Sequence, residues 1–110
     1  MERVLFAEAN LKGVVMRQAS FKKVDFSKAN LCRADFFDST FDACDFRNAN
    51  LAGANFSNCT FTRCLFDRAD LNGASFRCAK FKGLINSLRG ANFQDNDLRD
   101  VDWGTTRRAW

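Results

Sequence analysis

A phenylalanine, leucine or methionine stands at every fifth residue from Phe6 to Phe81, in an unbroken series that opens Phe6, Leu11, Met16, Phe21, Phe26, Leu31. Two residues before each of these centres sits something small or β-branched, such as Val4, Ala9, Val24, Ser39, Cys44 or Ala79, and the positions between are mostly polar or charged. A helix face recurs every 3.6 residues and a strand face every second one, so neither element could bury a period of five on one side. A fixed self-similar period predicts a repeat architecture instead, whose units are each too small to hide an apolar face and must stack on their neighbours.

The leucines define the larger unit. Among the centres they fall at Leu11, Leu31, Leu51 and Leu71, twenty residues apart, with Ala-Asn or Ala-Asp before each and Gly13, Gly53 and Gly73 two residues past three of them. One coil is therefore expected to hold twenty residues on four sides. Quintets such as Ala29-Asn30-Leu31-Cys32-Arg33 and Ala49-Asn50-Leu51-Ala52-Gly53 resemble the A(D/N)LXX consensus of the pentapeptide-repeat family, and the likeness runs from Val4 to Trp103. That resemblance implies an all-β fold: a right-handed, four-sided parallel β-helix in which each quintet forms one side and each corner a turn. The length allows about five coils of twenty residues. Phenylalanine replaces the consensus leucine at most centres, which predicts a wider core of stacked rings.

Parallel strands lie about 4.7 to 4.9 Å apart, so centres one coil apart, such as Phe26, Phe46 and Phe66, are expected to pack ring on ring. The small residue two before each centre is equally necessary, because a second large side chain per side would overfill the interior. The Asn, Asp, Ser and Thr just before many centres are expected to bond turn backbone or to form ladders between coils. The series breaks once: Phe81 and Phe93 are twelve residues apart rather than ten. Two residues are inserted, and the segment from Gly83 to Gly90 is expected to bulge as a loop with Leu88 as a displaced centre, after which Phe93, Leu98 and Trp103 resume the series. The chain thus reads as one domain over residues 1–103, with residues 104–110 as a short tail in which Trp110 caps the last rung.

The start, Met1-Glu2-Arg3-Val4-Leu5-Phe6, has no secretory or transit character, and charges interrupt every apolar run, so a cytoplasmic protein without membrane spans is expected. Five cysteines, an odd number, fit a reducing compartment better than a disulfide framework. Cys44, Cys59 and Cys64 occupy the small inward position and read as buried small hydrophobes, with Cys44 and Cys64 stacked one coil apart. Cys32 and Cys78 should point outward or into corners. With no histidine the inward cysteines make a poor metal set, and no metal or cofactor is expected. Catalysis is disfavoured too: His and Tyr are absent, the aspartates repeat one structural position rather than converging, and no phosphate-cradling glycine motif is present.

What remains is surface. Net charge is +4, and it is uneven: residues 1–33 carry seven basic and three acidic groups, 34–70 three and six, and 71–110 seven and four. Without outward aromatics interleaved with arginine, this falls short of a nucleic-acid groove. Twelve of the thirteen phenylalanines are centres, and Phe37 is the exception that should face outward, on the side shared with Arg17, Ser57 and Arg77. Two readings of that ring compete: a lone aromatic covered by a long neighbour, and a contact anchor, since aromatics and arginine are enriched at binding hot spots. Leu5, Val15 and Leu65 are candidates to extend such a patch. The expected function is a non-enzymatic scaffolding module that docks a partner protein on a side or an end, with self-association through a bare first coil as a further route. The family resemblance supplies an alternative, a DNA mimic that binds DNA gyrase or another topoisomerase and protects it from quinolones. Such mimicry requires a strongly negative rod, and this chain is short and positively charged.

Overall fold

The computed structural model describes residues 1–83 and 86–104, and these wind into a right-handed, four-sided parallel β-helix without α-helices. Side 1 carries Phe6, Phe26, Phe46, Phe66 and Leu88. Side 2 carries the four leucines and Phe93, and side 3 carries Met16, Phe36, Phe56, Phe76 and Leu98. Side 4 holds the strands β1 (Ser20–Lys22), β2 (Thr40–Asp42), β3 (Thr60–Thr62) and β4 (Lys80–Lys82), paired in parallel in the order β1-β2-β3-β4 with a register of twenty. The other three sides are joined by single bridges in the same register, such as Asn10↔Asn30↔Asn50↔Asp70.

Residue type explains why only side 4 forms strands. On sides 1 to 3 the residue before the centre is mostly Asp or Asn, and its side-chain oxygen accepts the backbone N–H two residues on, as from Asp25 to Ser27 (2.8 Å), Asn30 to Cys32 (3.2 Å) and Asn55 to Ser57 (3.0 Å). Each such Asx turn starts the corner early and shortens the strand to one bridge. On side 4 that position holds Ser20, Thr40, Thr60 and Lys80, and the backbone stays extended through the centre. The second residue after each centre takes a left-handed conformation, from Glu8 (φ 62°) and Lys28 (φ 56°) to Arg68 (φ 58°) and Gly73 (φ 74°). With the small residue's N–H bonded back to the centre's C=O, as from Ala29 to Phe26 at 3.1 Å, each such corner is a β-turn of type II character.

Inside, the rings stack between coils and meet edge-on between sides. Phe46 lies 4.9 Å from Phe26 and 4.8 Å from Phe66 with planes within 6°, and meets Phe41 at 5.3 Å and 68°. Side 4 is aromatic from Phe21 through Phe41, Phe61 and Phe81 to Trp103, which stacks on Phe81 at 5.0 Å. These separations suit offset-stacked and edge-to-face ring pairs. All centres from Phe21 to Phe81 are buried, as are the inward alanines and cysteines from Ala29 to Ala79.

The corner from side 4 to side 1 differs from the rest. After Phe21, Phe41 and Phe61 the turn bond does not form, and the carbonyls of Phe21 and Phe41 instead accept the thiols of Cys44 (3.5 Å) and Cys64 (3.4 Å) from the next coil. At this corner, after Phe81, the two extra residues enter, and beyond it the register becomes twenty-two: Leu65↔Ser87, Asp70↔Asn92, Ser75↔Asp97, Lys80↔Asp102. Leu88 is buried in the centre position over Phe66. The chain is back in register by Ser87, which pairs with Leu65. Leu84, Ile85 and the expected Trp110 cap lie outside the described residues.

Asn86 takes the inward position above Cys64 and makes the corner bonds itself. Its Oδ1 accepts the Cys64 N–H at 2.7 Å, while its Nδ2 donates to the carbonyls of Phe61 (3.2 Å) and Lys82 (2.7 Å). Asn96, in the inward position on side 3, donates to the Leu71 and Ala74 carbonyls at 2.6 and 2.8 Å. Ser39 and Cys59 likewise donate to the carbonyls of Met16 (3.0 Å) and Phe36 (2.9 Å). A polar residue in the inward position is therefore more than a small filler, because it satisfies a carbonyl of the coil before it.

Candidate functional site

Stacking in a register of twenty turns each outward position into a column parallel to the solenoid axis. Arg17, Phe37, Ser57 and Arg77 form one such column on side 3, which Arg99 continues. The Arg17 guanidinium carbon sits 4.6 Å from the centre of the Phe37 ring, and its Nε lies 3.4 Å from the Asp35 carboxylate. Phe37 is half-buried beneath that cation, an arrangement favoured by the ring's negative face. Ser57 Oγ bonds Ser75 Oγ at 2.9 Å, and Arg77 is exposed. Arg99 grips Asp97 through two hydrogen bonds of 2.9 and 2.7 Å, which hold that carboxyl down at about 2.

Val15 stands on side 3 and is 67% exposed, but Leu5, at 79%, and Leu65 belong to side 1. Those two leucines cannot extend the Phe37 patch. Their column runs Leu5, Asp25, Asp45, Leu65, Ser87, so two aspartates also separate them from each other. At the first coil, Phe6, Leu11 and Met16 are only partly covered, and the backbone groups of Leu5, Asn10 and Val15 that point away from the second coil have no strand to pair with among the described residues.

Cys44, Cys59 and Cys64 are buried and Cys78 is exposed at a corner, and all five are free thiols. Burial pushes Cys59 up to about 12 and Cys64 well above its ordinary value. Among the described residues no cluster of His, Cys, Asp or Glu could hold a metal ion, and no helix is long and apolar enough to cross a membrane.

A groove of about 590 Å³ runs along the corner between sides 1 and 2, with Lys28, Arg47, Arg68 and Arg89 reaching it from four successive coils. Arg47 forms a bidentate pair with Asp45 at 3.0 and 2.8 Å; burial works to raise that carboxyl, and the Arg47 bonds outweigh it and leave it lowered. Sequence reasoning missed this groove. The spacing from Lys28 to Arg68 was readable, but Arg89 joins the corner only through the register of twenty-two.

Comparison with known proteins decides the family. The pentapeptide repeat region model matches residues 34–106, and the pentapeptide repeats (8 copies) model matches residues 1–36. The chain is a pentapeptide repeat protein. Among solved structures it is similar to HetL, a pentapeptide repeat protein involved in heterocyst differentiation regulation from the cyanobacterium Nostoc sp. strain PCC 7120. That match has a TM-score of 0.73 at 21% identity and covers 98% of this chain and 53% of HetL. It is also similar to QnrB1, a plasmid-mediated fluoroquinolone resistance protein (TM-score 0.76, 16% identity, 96% of this chain and 68% of QnrB1). A third is a pentapeptide repeat protein of the Arabidopsis thaliana thylakoid lumen (TM-score 0.66, 22% identity, 97% and 66%). At these identities the likeness is one of fold, and the chain spans about half the length of HetL. No curated protein matches the chain in sequence.

Proposed function

We propose that this pentapeptide repeat protein is a non-enzymatic, cytoplasmic scaffolding module that docks a partner protein on its outer surface. The observation that carries the reading is Phe37, an outward ring on a side whose backbone is held by coil-to-coil hydrogen bonds above and below. A ring presented on a rigid frame loses little freedom on docking, and the Arg17 side chain over it, with Arg77 and Arg99 farther along the same column, supplies polar contacts of the kind found at hot spots. The ring-filled interior leaves no room for a substrate, and an odd number of cysteines suits a reducing compartment. The partly covered first coil offers a second route, association through the solenoid end.

A second reading is favoured by the likeness to QnrB1, whose name marks it as a resistance protein. Protection of a topoisomerase by DNA mimicry requires a negative surface, whereas this chain is net +4 and gathers cations along one corner. Copurification from cells with wild type and with Phe37→Asp tests the first reading, which predicts a partner lost in the variant; an unchanged partner set overturns it. A gyrase supercoiling assay with added protein tests the second, which requires inhibition or drug protection.

A further inference from the structure

The large apolar side chains exposed among the described residues, Met1, Leu5 and Val15, all belong to the first coil. Leu5 and Val15 stand at the middle of sides 1 and 3, where the second coil carries Asp25 and Asp35. Their backbone is as open as their side chains. The Asp25 N–H donates to the Val4 C=O at 3.0 Å and its C=O accepts the Phe6 N–H at 2.7 Å, so a residue in this position turns both groups toward the coil before it. Leu5, Asn10 and Val15 hold the same position one coil earlier, and both of their groups therefore leave the end of the solenoid. Around them Val4, Phe6, Leu11, Val14 and Met16 are only partly buried, which makes this end an apolar platform rimmed by strand edges unpaired among the described residues.

The shape of this end selects its occupant. From Met1 to Ser20 the edge retreats by one coil, about 4.8 Å, and returns in a step on side 4, where the Met1 ammonium donates to the Ser20 C=O at 2.7 Å. A flat partner touches such a ramp only where it stands highest. A second copy, turned over about a two-fold axis through the step, follows it all the way round, because each ramp advances where the other retreats by the same pitch. That axis crosses side 4 at Ser20 and side 2 at Asn10. It lays side 1 of each copy antiparallel on side 3 of the other, with Leu5 opposite Val15 and Asn10 opposite its own twin, the arrangement in which two residues exchange both backbone hydrogen bonds. Charge agrees with shape. The same axis brings the exposed Glu8, at the corner after side 1, onto the exposed Lys12 of the other copy, at the corner after side 2, and does so twice. A two-fold through sides 1 and 3 would instead set Lys12 against Arg17 of the other copy. The protein measures 28 × 26 × 25 Å, so a whole end is roughly 600 Å² and two of them together roughly 1,200 Å², the lower range of specific, stable interfaces.

We propose that two copies of this chain pair head to head through their first coils, in a two-fold dimer with Leu5 against Val15 and Glu8 beside Lys12 across the interface. This assignment rests on the solenoid-end route of the reading above and names its occupant. Phe37, one coil farther along, stays outside the contact.

The test is sedimentation equilibrium across micromolar concentrations, in which wild type is expected to pass from monomer to dimer. Glu8→Lys and Lys12→Glu should each weaken the dimer about tenfold, since each turns two exposed, symmetry-related pairs from attraction to repulsion. Mixed together, the two variants should recover wild-type association, because a Glu8→Lys chain meets a Lys12→Glu chain with opposite charges at both corners. Bulk charge cannot produce that recovery, as both variants remain net positive. Val15→Asp should abolish the dimer, and Phe37→Asp should leave its affinity within about threefold of wild type. Asn10→Cys reads the geometry: Cα atoms of a hydrogen-bonded antiparallel pair lie about 5.5 Å apart, within disulfide reach, so mild oxidation should give a covalent dimer well beyond any that wild type forms through its exposed Cys78. Far-UV circular dichroism of each variant establishes that the coil is intact. A wild type that stays monomeric, a mixture no better than either variant alone, loss of the dimer in Phe37→Asp, or no gain of covalent dimer in Asn10→Cys would each overturn the assignment. If wild type is monomeric while a Phe37-dependent partner still copurifies, the self-pairing falls and the side 3 reading stands.

Discussion

Phe46 is the most informative single perturbation, because it sits in the middle coil with ring neighbours above, below, on one flank and across the tube. It is fully buried, stacked on Phe26 and Phe66 at 4.9 and 4.8 Å, and edge-on to Phe41 and Phe56 at 5.3 and 5.9 Å. Phe46→Ala removes the ring from a position that hydrogen-bonded coils on either side prevent from collapsing, so the cost should fall near the top of the usual range of about 3–5 kcal/mol. Phe46→Leu keeps most of the volume but forfeits the stacks, each worth about 0.5–1.5 kcal/mol beyond burial, and should cost about 1.5 kcal/mol. Phe6→Ala provides the contrast. Phe6 occupies the same column at the open first coil, is only partly buried, and stacks on Phe26 alone at 5.5 Å, so its loss should cost about 1–2 kcal/mol. Urea unfolding followed by far-UV circular dichroism reads the order. With a slope of about 2 kcal/mol per molar for a domain of this size, Phe46→Ala should lower the midpoint by about 2 M. If Phe46→Ala and Phe6→Ala came within about 0.5 kcal/mol of each other, the account of the core as neighbour-dependent stacks would be wrong.

Two further outcomes follow from the corners and the surface pairs. Asn86→Ala leaves the Cys64 N–H and the Phe61 carbonyl without partners in a buried corner and should cost about 2–4 kcal/mol in the same unfolding assay, whereas a cost below about 0.5 kcal/mol would mean that the side chain is only filler. Asp97 is held at about 2 by Arg99, below its unfolded value near 3.9, so its contribution is fully present above about pH 4 and is lost as pH falls from about 4 to about 2. Melting temperatures measured across that window should fall less steeply for Asp97→Asn than for wild type; parallel curves would count against the pair.

Much of this protein is legible before any coordinates. The period of five sorts residues into centre, inward and outward positions because a narrow tube admits one large side chain per quintet, and Phe21 through Phe81 all obey that sorting. The twenty-residue recurrence of Leu11, Leu31, Leu51 and Leu71 sets four sides to a coil, and from it Arg17, Phe37, Ser57 and Arg77 could be placed in one column. Tertiary structure alone decided which corner would open for the insertion, and hence which cations would meet. Leu88 was recognisable as a displaced centre, but the point at which the chain regained its register depends on hydrogen bonds between residues more than twenty apart, above all those of Asn86 to Cys64 and Phe61. Burial is a property of each quintet and is therefore written locally. Register is a property of neighbouring coils, and a shift of two residues at a single corner delivered Arg89 to the groove beside Arg68.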